Sequence, residues 1–173
     1  MRDILAKMKG GDRRSIGRSD AVAREVSWNA SLFGDLFAGL FADDPVIRVR
    51  AADAMEKVTR DRPELLQPFK RQLLGAVSAL KDKEVRWHVA QMLPRLKLTP
   101  RERKSAVEIL MTWLDDPSSI VKTFSMQALA DLAKRDDALL GHVTPLIARL
   151  ARTGTPAMRS RGRKILQQLP SCE

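Results

Sequence analysis

The stretch Asp44-Pro-Val-Ile-Arg-Val-Arg-Ala-Ala-Asp-Ala-Met-Glu-Lys-Val58 decides the fold. It opens as a turn and continues as an amphipathic helix. With Ile47 as position zero, apolar or small residues fall at +4 (Ala51), +5 (Ala52), +7 (Ala54), +8 (Met55) and +11 (Val58). Such a spacing lines one face of a 3.6-residue helix. Counted from Val85, the same offsets give Val89, Ala90, Met92, Leu93 and Leu96. From Val121 they give Ser125, Met126, Ala128, Leu129 and Leu132, and from Met158 they give Gly162, Arg163, Ile165, Leu166 and Leu169. The origins 47, 85, 121 and 158 are 38, 36 and 37 residues apart. A fixed period of that size is the signature of stacked helical repeats.

Two further features keep phase with this period. The residue after each origin is basic: Arg48, Arg86, Lys122 and Arg159. A turn containing Asp44, Asp82 or Asp116 precedes the first three, whereas the fourth turn, Thr153-Gly154-Thr155-Pro156, has no acid. The pattern resembles the HEAT repeat, whose second helix opens with an Asp-bearing turn, then Val-Arg, small residues, Ala-Leu and a closing Leu. Ile47-Arg48, Val85-Arg86, Val121-Lys122 and Met158-Arg159 take the Val-Arg positions, and the resemblance runs over residues 29–169. It implies an all-α fold, a right-handed, gently curved α-solenoid of about four helix pairs. An irregular N-terminal cap at 1–28 would precede repeats at 29–60, 63–97, 99–135 and 137–169.

Length and composition fit this reading. In 173 residues, hydrophobic types make up 44% and aromatics only 5%, as expected where helices approach through small side chains. No Gly/Ser linker interrupts the sequence, so 1–173 reads as one domain. The formal net charge is +10, which points to an acidic partner without choosing between protein, nucleic acid and an anionic surface. The single cysteine, Cys172, leaves no disulfide framework, and a reducing, cytoplasmic compartment is the expectation. No apolar run approaches a membrane span, and the charged Met1–Lys9 stretch is unlike a secretory signal.

Taken in order, residues 1–9 read as a short helix broken by Gly10-Gly11-Asp12, and Ser19 or Asp20 as the cap of a helix through Val26 and Trp28. Asn29 to Ser31 marks a break before the first repeat, with Pro45 opening its second helix at 46–60. The second repeat starts at Pro63 and its first helix runs to Leu80, with Pro68 in its second turn. Its partner helix starts near Lys83 and meets Pro94. Thr99-Pro100 caps the third repeat, whose second helix spans Pro117 to Arg135. The fourth repeat has helices at 137–151 and 156–169.

Candidate sites follow from the register. In HEAT proteins the basic +1 residue often pairs with a turn Asp of a neighbouring layer, which implies a ladder for Arg48, Arg86 and Lys122. The alternative is a row of cations along an acidic ligand. Positions +3, +6 and +10 form the exposed, concave face of the second helices: Arg50, Asp53 and Lys57; His88, Gln91 and Arg95; Phe124, Gln127 and Asp131; Arg161, Lys164 and Gln168. Arg50, Lys57, His88, Arg95, Arg159, Arg161 and Lys164 are the binding candidates, beside the plainer reading of a solvated helix face. Between Arg149 and Lys164 stand six basic residues and no acid. Capping of a terminal repeat explains their polarity but not their single sign. At core-facing +5 and +4, Arg163 and Gly162 mark the last helix as prone to fraying.

The segment Gly10-Gly11-Asp12-Arg13-Arg14-Ser15-Ile16-Gly17-Arg18 is similar to the opening of small bacterial HEAT-repeat proteins. It reads either as a polar cap or as an anion-binding loop using Arg13, Arg14 and Arg18, next to a helix N-terminus.

Trp87-His88 and Trp113-Leu114-Asp115 carry the ingredients of the HEAT-like DNA glycosylases, an aromatic and an Asp in a basic groove. No motif matches residue by residue, and both tryptophans read first as packing residues. His88 and His142 lack the His-Glu pairs of metal-binding HEAT hydroxylases, so neither metal nor cofactor is expected. The reading is a non-enzymatic, by default monomeric scaffold for an acidic protein or peptide. Nucleic-acid binding through the same face and the C-terminal cluster is the alternative.

Overall fold

A computed structural model describes residues 4–12 and 15–170. Among these every element is helical and there are no strands. The α-helices are α1 (Ser19–Trp28), α2 (Phe33–Ala38), α3 (Pro45–Asp61), α4 (Lys70–Leu74), α5 (Lys83–Met92), α6 (Pro100–Trp113), α7 (Ser119–Ala133), α8 (Asp137–Thr153) and α9 (Pro156–Leu166). Short 3₁₀ turns lead into α2 (Ala30–Leu32), extend it (Gly39–Phe41) and extend α5 (Leu93–Arg95).

The chain forms two compact units, Met1–Lys97 and Leu98–Glu173. Their boundary lies just before the cap of the third expected repeat. In the first unit α3 is the central helix, packed against α1, α2 and α5. In the second, α7 packs against α6, α8 and α9, and α8 and α9 pair closely.

The periodic positions are the core. Ile47, Ala51, Ala52, Ala54, Met55 and Val58 of α3 are all buried. So are Val85, Val89, Ala90, Met92, Leu93 and Leu96 around α5. In α7, Val121, Met126, Ala128, Leu129 and Leu132 are buried together with Ser125. The set loosens in α9, where Met158, Gly162 and Ile165 are buried but Arg163 is exposed. Gly162 has a packing reason: a Cβ there would stand 2.9 Å from the Ala151 Cβ of α8. Close approach of two helices, rather than fraying, accounts for the glycine. An aromatic cluster completes the first unit. Phe37 stacks on Phe69 with centroids 4.2 Å apart, and Phe33 lies 5.7 Å from Phe69.

Turn chemistry sets the helix starts. The Val46 N–H donates to Asp44 Oδ1 at 2.8 Å, and Pro45 follows at a position that needs no donor. Thr99 and Glu102 close a reciprocal capping box on α6. In the acid-free fourth turn Thr155 Oγ1 accepts from the Met158 N–H at 3.3 Å.

Two expectations fail locally. The first helix of the second repeat does not run from Pro63 to Leu80. It is a 3₁₀ segment over Pro63–Phe69, then the five-residue α4, then turns. Pro68 removes a backbone donor within the first turns, and Gly75, at φ −120° and ψ −103°, leaves helical space. The Ser19 side chain does not cap α1 either. Ser19 is the first helical residue, and its buried hydroxyl instead donates to Asp53 on α3.

Candidate interaction surface

Positions −1, +3, +6 and +10 of each second helix lie on one line, since they recur at four, three and four residues. In α3 this ridge is Val46, Arg50, Asp53 and Lys57; in α7 it is Ile120, Phe124, Gln127 and Asp131; in α9 it is Ala157, Arg161 and Lys164, with Gln168 in the turn that follows. The two units treat this ridge in opposite ways.

In the first unit the ridge is covered. Arg50 is 3% exposed. Its guanidinium donates to the carbonyls of Met8 (2.8 Å), Gly10 (2.7 Å), Asp12 (3.2 Å) and Ser15 (3.1 Å). The N-terminal segment thus wraps one arginine with backbone oxygens. Glycine makes the wrap feasible. Gly17 has φ +53°, and a Cβ on it would sit 2.5 Å from the Arg50 Cζ. Further along the ridge, Asp53 accepts from Ser19, and Lys57 bridges Asp53 (2.6 Å) and Asp20 of α1. Hydrogen bonds from Lys57 hold the Asp20 carboxyl below its usual range.

The same holds around α5. His88 is 3% exposed, with Nε2 3.8 Å from Asp53 Oδ1, Nδ1 buried without a hydrogen-bond partner, and the ring against Trp87 at 3.5 Å. Burial pushes its pKa down to about 4, against the pull of Asp53 and Glu56. Arg95 donates to the nearly inaccessible Glu56 carboxylate at 2.5 Å and to the Glu56 carbonyl at 2.7 Å. Burial raises the Glu56 pKa, and hydrogen bonds from Arg60 and Arg95 outweigh it and hold the group low. The sequence placed Arg50, Lys57, His88 and Arg95 on an exposed binding face. In the structure Arg50 and His88 are buried, and Lys57 and Arg95 are committed to internal carboxylates. The N-terminal segment and α1 supply partners of Arg50 and Lys57, whereas Arg95 is held by Glu56 and Thr59 of α3.

A small cleft of about 170 Å³ remains where Ile16, Val49, Asp53, Glu84, Trp87 and His88 meet. Trp87 and a carboxylate do meet there. Trp113, by contrast, is 4% exposed and belongs to the core of the second unit.

Of the basic +1 row, Arg48 forms the ladder rung that the resemblance implied. Its Nε and Nη2 donate to Asp82 at 2.9 and 3.2 Å, while Nη1 holds the carbonyls of Ala42 and Asp43. The Asp44 side chain caps α3, and Asp116 Oδ1 accepts from the Ser118 N–H at 2.7 Å in the turn before α7. Arg86 donates to the Leu80 carbonyl at 2.8 Å.

In the second unit Ile120, Arg161, Lys164 and Gln168 are exposed, and Phe124, Gln127 and Asp131 are half-buried. The α7 and α9 ridges run side by side, joined by Ser119 to Thr155 hydroxyls at 2.8 Å and by Arg161 donating to Gln127 Oε1 at 3.3 Å. Arg161 Cζ lies 5.9 Å from the centre of the half-buried Phe124 ring. Arg149, Arg152, Arg159, Arg161, Arg163 and Lys164 are all exposed. Ile120, one turn before Phe124, is 42% exposed. Sequence reading passed over Ile120 because it precedes the repeat origin. The −1 position on the +3 line was the signal.

Arg13 and Arg14 lie outside the described residues. Arg18 is exposed and flanks α1 without a side-chain cap bond. The described part of that loop turns carbonyls toward a cation. Among the described residues no cluster of three or more His, Cys, Asp or Glu side chains could hold a metal, and no helix is long and apolar enough to cross a membrane. Compared with known proteins, the chain matches no family model and no curated protein.

Proposed function

We propose that the chain is a HEAT-like helical solenoid acting as a non-enzymatic scaffold. It binds an acidic protein through the basic face of α9, where Arg161 and Lys164 are exposed. One observation carries this reading. Six exposed cations stand between Arg149 and Lys164 with no acid among them, and one of them, Arg161, lies over the Phe124 ring, one turn from exposed Ile120. A cap on a terminal repeat needs polarity, not one sign of charge. A concentrated positive field beside exposed apolar area is the composition of a recognition surface for an acidic protein. The burial of the repeat register in α3, α5 and α7 supports the repeat assignment.

The test compares fluorescent polyglutamate with duplex and single-stranded DNA and RNA, at about 50 and about 200 mM salt. Polyglutamate binding that disappears when Arg159, Arg161 and Lys164 are replaced together by alanine is the expected outcome. Nucleic-acid binding that survives the higher salt and falls with the same triple variant would overturn the reading in favour of a phosphate backbone.

A further inference from the structure

Trp28 ends α1 with 91% of its surface exposed, more than any other large apolar side chain among the described residues. Asp20, Arg24, Ser27 and Trp28 share the outward face of α1, while Ser19, Val22, Ala23 and Val26 are buried. An indole so hydrated gains by burial against another surface, and tryptophan is the commonest anchor of protein interfaces. Beside it lies a cleft of about 280 Å³ between α1 and α3, lined by Ala23, Arg24, Ser27, Lys57 and Val58. Knob and cleft thus share one surface, which is what pairing about a two-fold axis requires.

The charges fit the same occupant. Lys57 is taken by Asp20 and Asp53, Arg62 by Glu64, and Lys7 by Glu25, so this surface singles out neither an acidic nor a basic partner. Arg24 is exposed and, among the described residues, makes no hydrogen bond or ion pair, its charge reaching Asp20 through space. Arg24 and Trp28 stand four residues apart on one line, about 6 Å along the helix. Two α1 helices laid antiparallel, with the axis level with Val26, bring Arg24 of each copy over the Trp28 ring of the other, so one cation–π contact is made twice. We propose that the chain pairs with a second copy through α1. Each Trp28 seats in the cleft between α1 and α3 of the other copy, against that copy's Arg24. The contact lies within the first unit and does not draw on the basic face of α9, so it stands independently of the scaffold reading.

The test is sedimentation equilibrium of the full chain from about 1 to about 300 μM, the range in which small interfaces assemble. The weight-average mass should rise from 19.4 kDa toward twice that value and level there. Trp28→Ala should weaken the dimer at least about 30-fold, because each dimer loses two buried indoles. Arg24→Ala should weaken it at least about fivefold, through the two cation–π contacts. Both variants should keep the parent melting temperature in dilute solution, where the chain is monomeric, since both side chains are exposed there. Polyglutamate binding should be unchanged in both.

A monomer over the whole range would overturn the proposal, and so would a dimer indifferent to Trp28→Ala. A dimer that needs Trp28 but not Arg24 would overturn the reciprocal seating. A mass that climbs without levelling would overturn the two-fold arrangement, because head-to-tail contacts do not close. A lowered melting temperature of dilute Trp28→Ala would assign the indole to the fold of the single chain and remove the surface from consideration.

Discussion

Arg50 of α3 and Arg161 of α9 hold the same position of the repeat and meet opposite fates. Arg50 is enclosed by four backbone carbonyls, and Arg161 lies in solvent over a phenylalanine ring. The helices that carry them follow one hydrophobic code, so the code does not decide exposure. What decides it is the segment outside the repeat, whose described residues, 4–12 and 15–28, lie across the first unit's ridge. A cation in this register is therefore either enclosed as a structural post or left at the surface, according to what covers it.

The largest test of that contrast is Arg50→Ala. Removing the guanidinium strands carbonyls of Met8, Gly10, Asp12 and Ser15 that are oriented toward it, and it opens a cavity beneath the wrap. Each buried carbonyl left without its donor costs about 1–3 kcal/mol, and several are stranded together. Urea unfolding of the full chain should show it, with earlier proteolysis in the N-terminal segment. A loss below about 1 kcal/mol would mean that the wrap is not a structural post.

The burial of Ile47, Val85, Val121 and their offsets could be read from spacing alone, because helix periodicity reports which face is apolar. Spacing could not report that Arg50 is buried, since its cover comes from residues with no periodic relation to it, nor that His88 of α5 packs against Asp53 of α3. The clue was present in composition. Gly10, Gly11 and Gly17 adopt positive φ, and such residues let a backbone turn close to a side chain. The sequence reading attached those glycines to neighbouring arginines and an anion; the described carbonyls face a cation 35 to 42 residues away. Long-range polar pairing has no local signal. Likewise, Pro68 and Gly75 together shorten a helix that apolar spacing alone extends to Leu80.

The second test uses pH. His88 is held near pKa 4 by burial in the first unit, whereas an unfolded histidine titrates near 6.5. Between those values the unfolded chain binds the proton and the folded chain does not. Stability from this group is thus complete above about pH 6.5 and is lost as pH falls toward 4, about 2 kcal/mol by pH 5. Glu56, held below its usual value, adds a loss of the same sign at lower pH. The groups facing His88 are Asp53, Glu56, Lys57 and Arg60, and none restores the imidazolium. Unfolding midpoints at pH 7.5 and 5 should differ for the parent chain, and the difference should largely vanish in His88→Gln. A parent chain equally stable at both values would show that the first unit is not closed around a neutral imidazole.

The smallest effect belongs to Arg161. Its partners are one hydrogen bond at 3.3 Å and one ring at 5.9 Å, both at the surface. An exposed cation over an aromatic face is worth no more than about 0.5–1 kcal/mol, and loss of an exposed side chain relieves some ordering cost. Arg161→Ala should therefore shift the urea midpoint by less than about 0.5 kcal/mol of stability. The same substitution should weaken polyglutamate binding, the reverse of Arg50→Ala, whose effect lies in folding. If Arg161→Ala instead destabilised the chain as strongly as Arg50→Ala, the α9 ridge would itself be a structural contact. The two arginines would then share one role, and the basic surface would lose its claim to be a recognition site. A stable Arg161→Ala protein that no longer binds acidic ligands separates the two roles within one repeat register.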